Sequence, residues 1–253
     1  MSLLRLDQAL VAWGLAPSRT KAQEMIRSGE IEIENSGQWS VCLDVSKSVD
    51  PGEKDRFRVG SAATTLQYVS RGGHKLAAAL DYLQLSVAGL KCLDVGQSTG
   101  GFSDALLQRG VAHVIGVDVG SGQLHPKLSQ DPRVQPHEQT HIEEFFAKLA
   151  SPLLVDLCVV DVSFISLTKV LPILGFNFKP GVRLLALVKP QFEVGPQALG
   201  KGGVVKDARL FDIVKEQIKV AAHQSSFRND AYFASAVKGQ DGNQEFFLLA
   251  TRT

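Results

Sequence analysis

Hydrophobic positions in the first part of the chain change period more than once. Leu6, Ala9, Leu10 and Trp13 share one face of a helix predicted over 7–13, which Gly14 stops. Ser18 is the expected N-cap of a second helix running through Ala22, Met25 and Ile26 to Gly29. The strict alternation Glu30-Ile31-Glu32-Ile33-Glu34 then predicts a half-exposed strand, with a turn at Asn35-Ser36-Gly37 and another strand over 39–45. A turn at Asp50-Pro51-Gly52 and a short strand over 56–59 complete a small α+β module. Gly60-Ser61-Ala62-Ala63-Thr64-Thr65 follows as a linker with little to bury.

Beyond the linker the apolar residues come in near-continuous runs, at 91–95, 111–117, 153–160 and 182–188, separated by helical stretches. Such runs fit parallel strands covered by helices on both faces, which predicts an α/β doubly wound, Rossmann-like sheet. Two further runs, 231–238 and 245–251, flank Gly239-Gln240-Asp241-Gly242-Asn243 and predict a C-terminal antiparallel hairpin on the sheet edge. The expected organisation is a first domain over 1–60, a linker over 61–69 and a second domain over 70–253.

Composition narrows the classes without choosing among them. With 253 residues and 44% hydrophobic content the chain can bury a sizeable core, which excludes a disordered or collagen-like protein. The 27 basic and 26 acidic residues leave a net charge of +1, so any nucleic-acid contact must come from a local patch. Three scattered cysteines, Cys42, Cys92 and Cys158, read as reduced thiols of a cytoplasmic protein rather than a disulfide framework. No stretch has the form of an export signal or approaches ~18 uninterrupted apolar residues, so no membrane association is expected.

The strongest chemical signal is the segment Cys92-Leu93-Asp94-Val95-Gly96-Gln97-Ser98-Thr99-Gly100-Gly101-Phe102-Ser103. An apolar strand runs into glycines and then a helix, which lets backbone approach a ligand at the carboxyl end of the strand. The next strand ends at Asp118, placed to accept hydrogen bonds from a ribose diol, with Val119 after it. An acid at both strand ends, with no phosphate-cradling loop, favours S-adenosylmethionine over a nicotinamide cofactor. The candidate cofactor residues are Asp94, Gly96, Ser98, Thr99, Gly100, Gly101, Phe102, Asp118 and Val119. Lys75, Asp161, Lys189 and Glu245 add polar chemistry, three of them at predicted strand termini where open α/β sheets concentrate function.

Several ordered segments carry a family resemblance: Ser70-Arg71-Gly72-Gly73-His74-Lys75-Leu76, the 94–102 and 118–124 segments, Asp161-Val162-Ser163-Phe164-Ile165-Ser166, Val188-Lys189-Pro190-Gln191-Phe192-Glu193-Val194-Gly195 and Gly242-Asn243-Gln244-Glu245-Phe246-Phe247. Together they resemble the TlyA family, often labelled hemolysin A, of ribosomal-RNA ribose 2′-O-methyltransferases with an FtsJ-like catalytic domain. The first domain, through Arg5-Leu6-Asp7, Ser18-Arg19-Thr20-Lys21-Ala22 and Gly29-Glu30-Ile31-Glu32-Ile33, resembles the S-four-type RNA-binding domain. The resemblance implies an enzyme using S-adenosylmethionine on ribosomal RNA or ribosomal subunits, methylating a cytidine 2′-oxygen, with Lys75, Asp161, Lys189 and Glu245 as a catalytic tetrad. It places RNA contacts at Arg5, Arg19, Lys21, Arg27 and Arg71. In that chemistry a ribose hydroxyl attacks the sulfonium methyl, Lys189 is the central group, and Asp161 and Glu245 orient the amines.

Two departures stand out. The family's Arg-x-Trp-Val junction is Leu66-Gln67-Tyr68-Val69 here, and Gln97 stands where a small residue is common. The alternatives are a hemolysin-like or RNA-binding protein without methyltransferase activity, and a pseudouridine synthase. Membrane lysis needs an amphipathic or spanning element that is not found here, and the cofactor-type turn argues against the synthase. His137-Glu138-Gln139-Thr140-His141 matches the zinc motif H-E-x-x-H, but Pro132 and Pro136 break any helix leading into it and no third ligand presents itself, so no metal is expected.

Overall fold

The computed structural model describes residues 3–61, 63, 66–239 and 241–253, without the Lys201 side chain. Met1, Ser2, the linker residues Ala62, Thr64 and Thr65, and Gln240 of the expected hairpin loop lie outside the described residues. The chain divides into two compact units, Met1–Tyr68 and Val69–Thr253. Among the described residues no helix is long and apolar enough to cross a membrane.

The first unit comprises β1 (Leu4–Arg5), α1 (Leu6–Ala12), α2 (Arg19–Arg27), β2 (Ile31–Asn35), β3 (Gln38–Val41), β4 (Ser48–Val49) and β5 (Phe57–Val59). Ser18 caps α2 by accepting the Lys21 amide, and Gly29, at φ +75°, supplies the left-handed residue after it. In β2 the isoleucines are buried and the alternating glutamates are not, as the sequence period requires. Ser36 and Gly37 both have positive φ, the two-residue turn that suits a tight hairpin, and β3 ends at Val41 rather than reaching 45. The β1–β4 pair is two residues long on each side, too short to leave a period in the sequence. Leu6, Leu10, Met25, Ile26, Ile31 and Phe57 form the core between the helices and the β3-β2-β5 sheet.

The second unit contains α3 (Arg71–Tyr82), β6 (Lys91–Val95), α4 (Gly101–Gln108), β7 (His113–Val117), α5 (Pro126–Ser129), β8 (Val134–His137), α6 (Ile142–Ala147), β9 (Leu157–Val160), α7 (Leu167–Asn177), β10 (Arg183–Val188), α8 (Pro190–Glu193), α9 (Arg209–Gln224), β11 (Phe227–Ala234) and β12 (Phe246–Arg252). Its seven-stranded sheet has the order β11-β12-β10-β9-β6-β7-β8. Strands β6 to β10 run parallel, and β12 lies antiparallel to both β10 and β11. The C-terminal hairpin is therefore inserted with its second strand inward, and only β11 forms the edge. Its first strand begins at Phe227, earlier than the expected 231, and ends at Ala234. Pro136 is tolerated in β8 because that strand is the opposite edge. Strand order reverses at β6, with β7 on one side and β9 on the other, which opens a crevice at the carboxyl ends of these strands.

All three cysteines are free and buried. Cys92 and Cys158 lie on β6 and β9, and burial pushes the Cys92 thiol up to about 12, so they act as apolar core groups.

Candidate active site

Strand register aligns the polar residues before any side-chain contact is considered. Val95 pairs level with both Val117 and Val160, so the next residues, Gly96, Asp118 and Asp161, leave the sheet side by side. Val188 faces Phe246, so Lys189 and Glu245 leave an antiparallel pair next to each other. Lys75 approaches from α3, whose first turn packs closely on the start of α4. A Cβ on Gly101 would lie 2.2 Å from Ser70 Oγ and 2.9 Å from the Gly73 nitrogen, so this approach requires glycine.

The four tetrad residues form two amine–carboxylate pairs. Lys75 Nζ lies 2.5 Å from Glu245 Oε2 in a pair whose side chains are 10% and 3% exposed. Lys189 Nζ lies 2.7 Å from Asp161 Oδ1 and donates a hydrogen bond to Ser163 Oγ at 2.7 Å. Lys75, Asp161, Ser163 and Lys189 line one small cleft together with Ser70, Gly72 and Phe102. Glu245 is buried behind Lys75 and contributes no surface to that cleft.

A second, larger cavity of about 740 Å³ runs along the ends of β6, β7 and β9, lined among others by Val95, Asp118, Val119, Thr140, His141, Ile142 and Phe164. The two cavities share Gly96, Ser98, Asp161 and Ser163. Gly96, Ser98 and Gly100 all have positive φ, and a Cβ on Gly96 would sit 2.4 Å from the Asp161 carbonyl oxygen. Only glycine lets the β6 loop pass beneath Asp161. Asp118 Oδ2 accepts the Ser98 amide at 2.8 Å and Oδ1 accepts the Gly120 amide at 2.7 Å, which fixes its carboxylate at the cavity wall. Thr99, Gly101 and Phe102 line the small cleft, and Val119, 62% exposed, lines the large one.

Of the expected cofactor residues, Asp94 and Gly100 line neither of these two cavities. Gly100 shapes the turn into α4 at φ +90°. Asp94 is fully buried and accepts the Ser103 hydroxyl at 2.7 Å, while Gln97 donates to that same Ser103 at 2.8 Å. Gln97 thus turns its amide inward, over Gly116, and braces the loop from below. Burial pushes the Asp94 carboxyl up to about 7; the Ser103 bond opposes this rise and the Asp161 and Asp118 charges add to it. A folded value above the unfolded 3.8 gives a contribution to stability that is complete below about pH 4 and is lost as pH rises through 7. Asp94→Asn is expected to remove this loss. Thermal unfolding between pH 4 and 8 should show a descending wild-type profile and a flatter one for the variant.

The expected RNA contacts divide. Arg5 and Arg19, 46% and 52% exposed, both pair with the buried Asp7, and Arg27 is exposed. Burial raises the Asp7 carboxyl, but hydrogen bonds from Arg19, Gln23 and Arg5 outweigh it and hold it at about 2. Lys21 does not form part of an exposed basic face: it is buried and its ammonium meets Glu24 at 3.1 Å. Arg71, half-buried, donates to the Lys238 carbonyl at 3.0 Å. The H-E-x-x-H segment is not a helix. His137 ends β8, His141 precedes α6, and Glu138 accepts the backbone amides of Gly122 and Gln123 at 2.9 and 3.2 Å.

Three features were not legible in the sequence. Ser163 touches Lys189. Phe164, with φ +63° and 91% exposed, stands at the rim of the large cavity against Phe192, their ring centroids 5.1 Å apart. Gln123 Oε1 accepts the Ser98 hydroxyl at 3.0 Å. The positive φ values of Phe164 and Ser98 break a residue-type preference, and both are properties of the folded backbone.

Comparison with known proteins agrees with this geometry. Residues 68–252 match the profile of the FtsJ-like methyltransferases and residues 4–54 that of the S4 domain. The 16S/23S rRNA (cytidine-2′-O)-methyltransferase TlyA of Mycobacterium tuberculosis is 40% identical over 98% of this chain and 90% of its own length. Hemolysin A of Brachyspira hyodysenteriae is 34% identical over 96% of this chain and 98% of its own. A solved structure from Streptococcus thermophilus is 34% identical, covers 100% of this chain and 90% of that one, and superposes with a TM-score of 0.73. With the carboxyl-end crevice, two profile matches in order and near full-length similarity, the chain belongs to the FtsJ-like methyltransferase family, in its TlyA branch.

Proposed function

We propose that this protein transfers the methyl group of S-adenosylmethionine to a ribose 2′-hydroxyl of ribosomal RNA, with cytidine as the target nucleoside, acting on free RNA or on ribosomal subunits in the cytoplasm. The observation that carries this reading is the junction of the two cavities at Gly96, Ser98, Asp161 and Ser163, where one space fits a nucleoside cofactor and the other is lined by Lys75, Asp161 and Lys189, with Glu245 buried behind Lys75. The bifunctional layout assigns 1–60 to RNA binding, 61–69 to the linker and 70–253 to catalysis.

The residues at the large cavity suit that cofactor. Each Asp118 oxygen accepts one backbone amide and keeps a lone pair for a ribose hydroxyl. Val119 and Ile142 offer apolar surface for an adenine ring, and Gly96 and Ser98 leave the backbone open toward the methionine portion. S-adenosylmethionine supplies an electrophilic methyl whose bond to sulfur breaks as the bond to the ribose oxygen forms. The chain's own part is to orient the hydroxyl in the small cleft and to receive its proton at Lys189 Nζ, with Asp161 stabilising the resulting ammonium. Lys75, held by Glu245, adds positive charge beside the developing alkoxide. Incubation with methyl-labelled cofactor and ribosomal subunits or deproteinised RNA tests the function, and transfer to one of these substrates is the expected result.

Arg5, Arg19 and Arg27 are the proposed phosphate contacts of the first unit, and Arg71 a contact near the cleft. Arg19→Glu combined with Arg27→Glu is expected to weaken RNA binding about tenfold or more at moderate salt and to lower the dependence of log affinity on log salt by about two contacts' worth. Filter binding across a salt series measures both. Unchanged affinity and slope would remove this face from the interface.

A further inference from the structure

The Lys189 amine has two oxygen neighbours at the same distance, and they do different things. Asp161 Oδ1 is 2.7 Å away, but the contact lacks hydrogen-bond alignment, and that oxygen has no aligned partner among the described residues. Ser163 Oγ, also at 2.7 Å, accepts an aligned bond. Attraction between charges depends on distance alone, whereas a hydrogen bond fixes direction. Asp161 therefore supplies charge and Ser163 supplies orientation.

The two backbones that carry this contact are tied together a few residues further on. Glu193, at the end of α8, accepts the Ser166 hydroxyl at 2.5 Å and the Leu167 amide at 2.8 Å, both at the start of α7. Lys189 directly precedes α8 and Ser163 lies in the loop that enters α7. The contact is thus closed at both ends, by Lys189–Ser163 at the cleft and by Glu193 behind it. Ser163 also lines both cavities, where the cofactor and hydroxyl spaces meet.

We propose that Ser163 is a positioning residue that aims the Lys189 amine at the attacking hydroxyl. A neutral amine carries two hydrogens and one lone pair. With one hydrogen held by Ser163 and the lone pair repelled by the nearby Asp161 carboxylate, the lone pair turns into the cleft. As the oxygen–carbon bond forms and the carbon–sulfur bond breaks, the hydroxyl proton passes to that lone pair and leaves later to solvent. Without Ser163 the Asp161 carboxylate still stands ready to stabilise the ammonium that forms, but the amine rotates about its terminal bond, so the chemical step slows while binding does not change.

This inference rests on the ribose-methylation reading, and its test separates the two. In the full chain, Ser163→Ala is expected to lower kcat about 10- to 100-fold, the worth of one hydrogen bond to the ammonium that forms as the proton is transferred. KM values for both substrates, the Kd for S-adenosylhomocysteine and the unfolding temperature should stay at wild-type levels. Ser163→Thr, which keeps the hydroxyl, should restore most of the rate. Lysine side-chain NMR gives a readout that needs no turnover: the Lys189 amine should be ordered in the wild type and in Ser163→Thr, and disordered in Ser163→Ala. An ordered amine in Ser163→Ala, a wild-type kcat, or a loss accompanied by weaker cofactor-product binding would overturn the role of Ser163. Absence of methyl transfer by the wild type would overturn the ribose-methylation reading, and the NMR comparison would still decide the positioning role.

Discussion

Lys189→Ala is expected to reduce methyl transfer by about 10²- to 10⁴-fold, the range of general acid–base contributions, while leaving the protein folded and able to bind S-adenosylhomocysteine. Lys189 follows the last residue of β10, so its backbone is held by the strand and by Pro190 rather than by its own side chain. Truncation removes the group that receives the proton and leaves Asp161, 21% exposed, to be solvated through the enlarged cleft. The Gly96 turn and the Asp118 clamp do not touch Lys189, so cofactor affinity should move little. Rates under single-turnover conditions together with calorimetric titration separate the two effects. Near wild-type turnover by the folded variant would remove Lys189 from the reaction.

Glu245→Ala is expected to act on stability and activity together. Its partner Lys75 is 10% exposed, and removing the carboxylate leaves a buried ammonium without its counter-charge. Breaking a buried pair in this way costs about 3–5 kcal/mol, which for a unit of this size lowers the unfolding temperature by about 10 °C. Replacing both partners, as in Lys75→Met with Glu245→Leu, removes the unpaired charge and should recover most of that stability. Methyl transfer should not recover, because Lys75 lines the cleft and the double variant lacks its charge. A double variant that regained both would make the pair a purely structural element. Calorimetry with activity measurement on the single and double variants distinguishes these outcomes.

The sequence carried the second unit's sheet well because parallel strands buried on both faces leave long apolar runs. Lys91–Val95 emerged at its observed bounds, and β7, β9 and β10 at their carboxyl ends. The carboxyl ends matter most, since Asp118, Asp161 and Lys189 directly follow them. Side-chain direction was less legible. Asp94 and Asp118 are both acids of the β6–β7 region, yet one faces Ser103 under the loop and the other faces the cavity. Period two along a strand separates the faces of the sheet, but not which face the loop above it covers. Lys21 shows the same limit in the first unit. Its position near the start of α2 suggested an exposed cation, whereas it lies on the buried side of the helix with Met25. The division of the tetrad into Lys75–Glu245 and Lys189–Asp161 depends on α3 reaching a β10–β12 junction more than a hundred residues away, which no local pattern encodes.

The position of the transferred methyl decides most directly whether the protein is a ribose methyltransferase. A 2′-O-methyl group removes the hydroxyl that cleaves the next phosphodiester in alkali, so label on ribose survives in alkali-stable dinucleotides, while label on a base is released in mononucleotides. With labelled S-adenosylmethionine and ribosomal RNA or subunits, label is expected in alkali-stable dinucleotides, with cytidine as the methylated member. Label recovered in mononucleotides, or no transfer by protein that binds the cofactor, would contradict it.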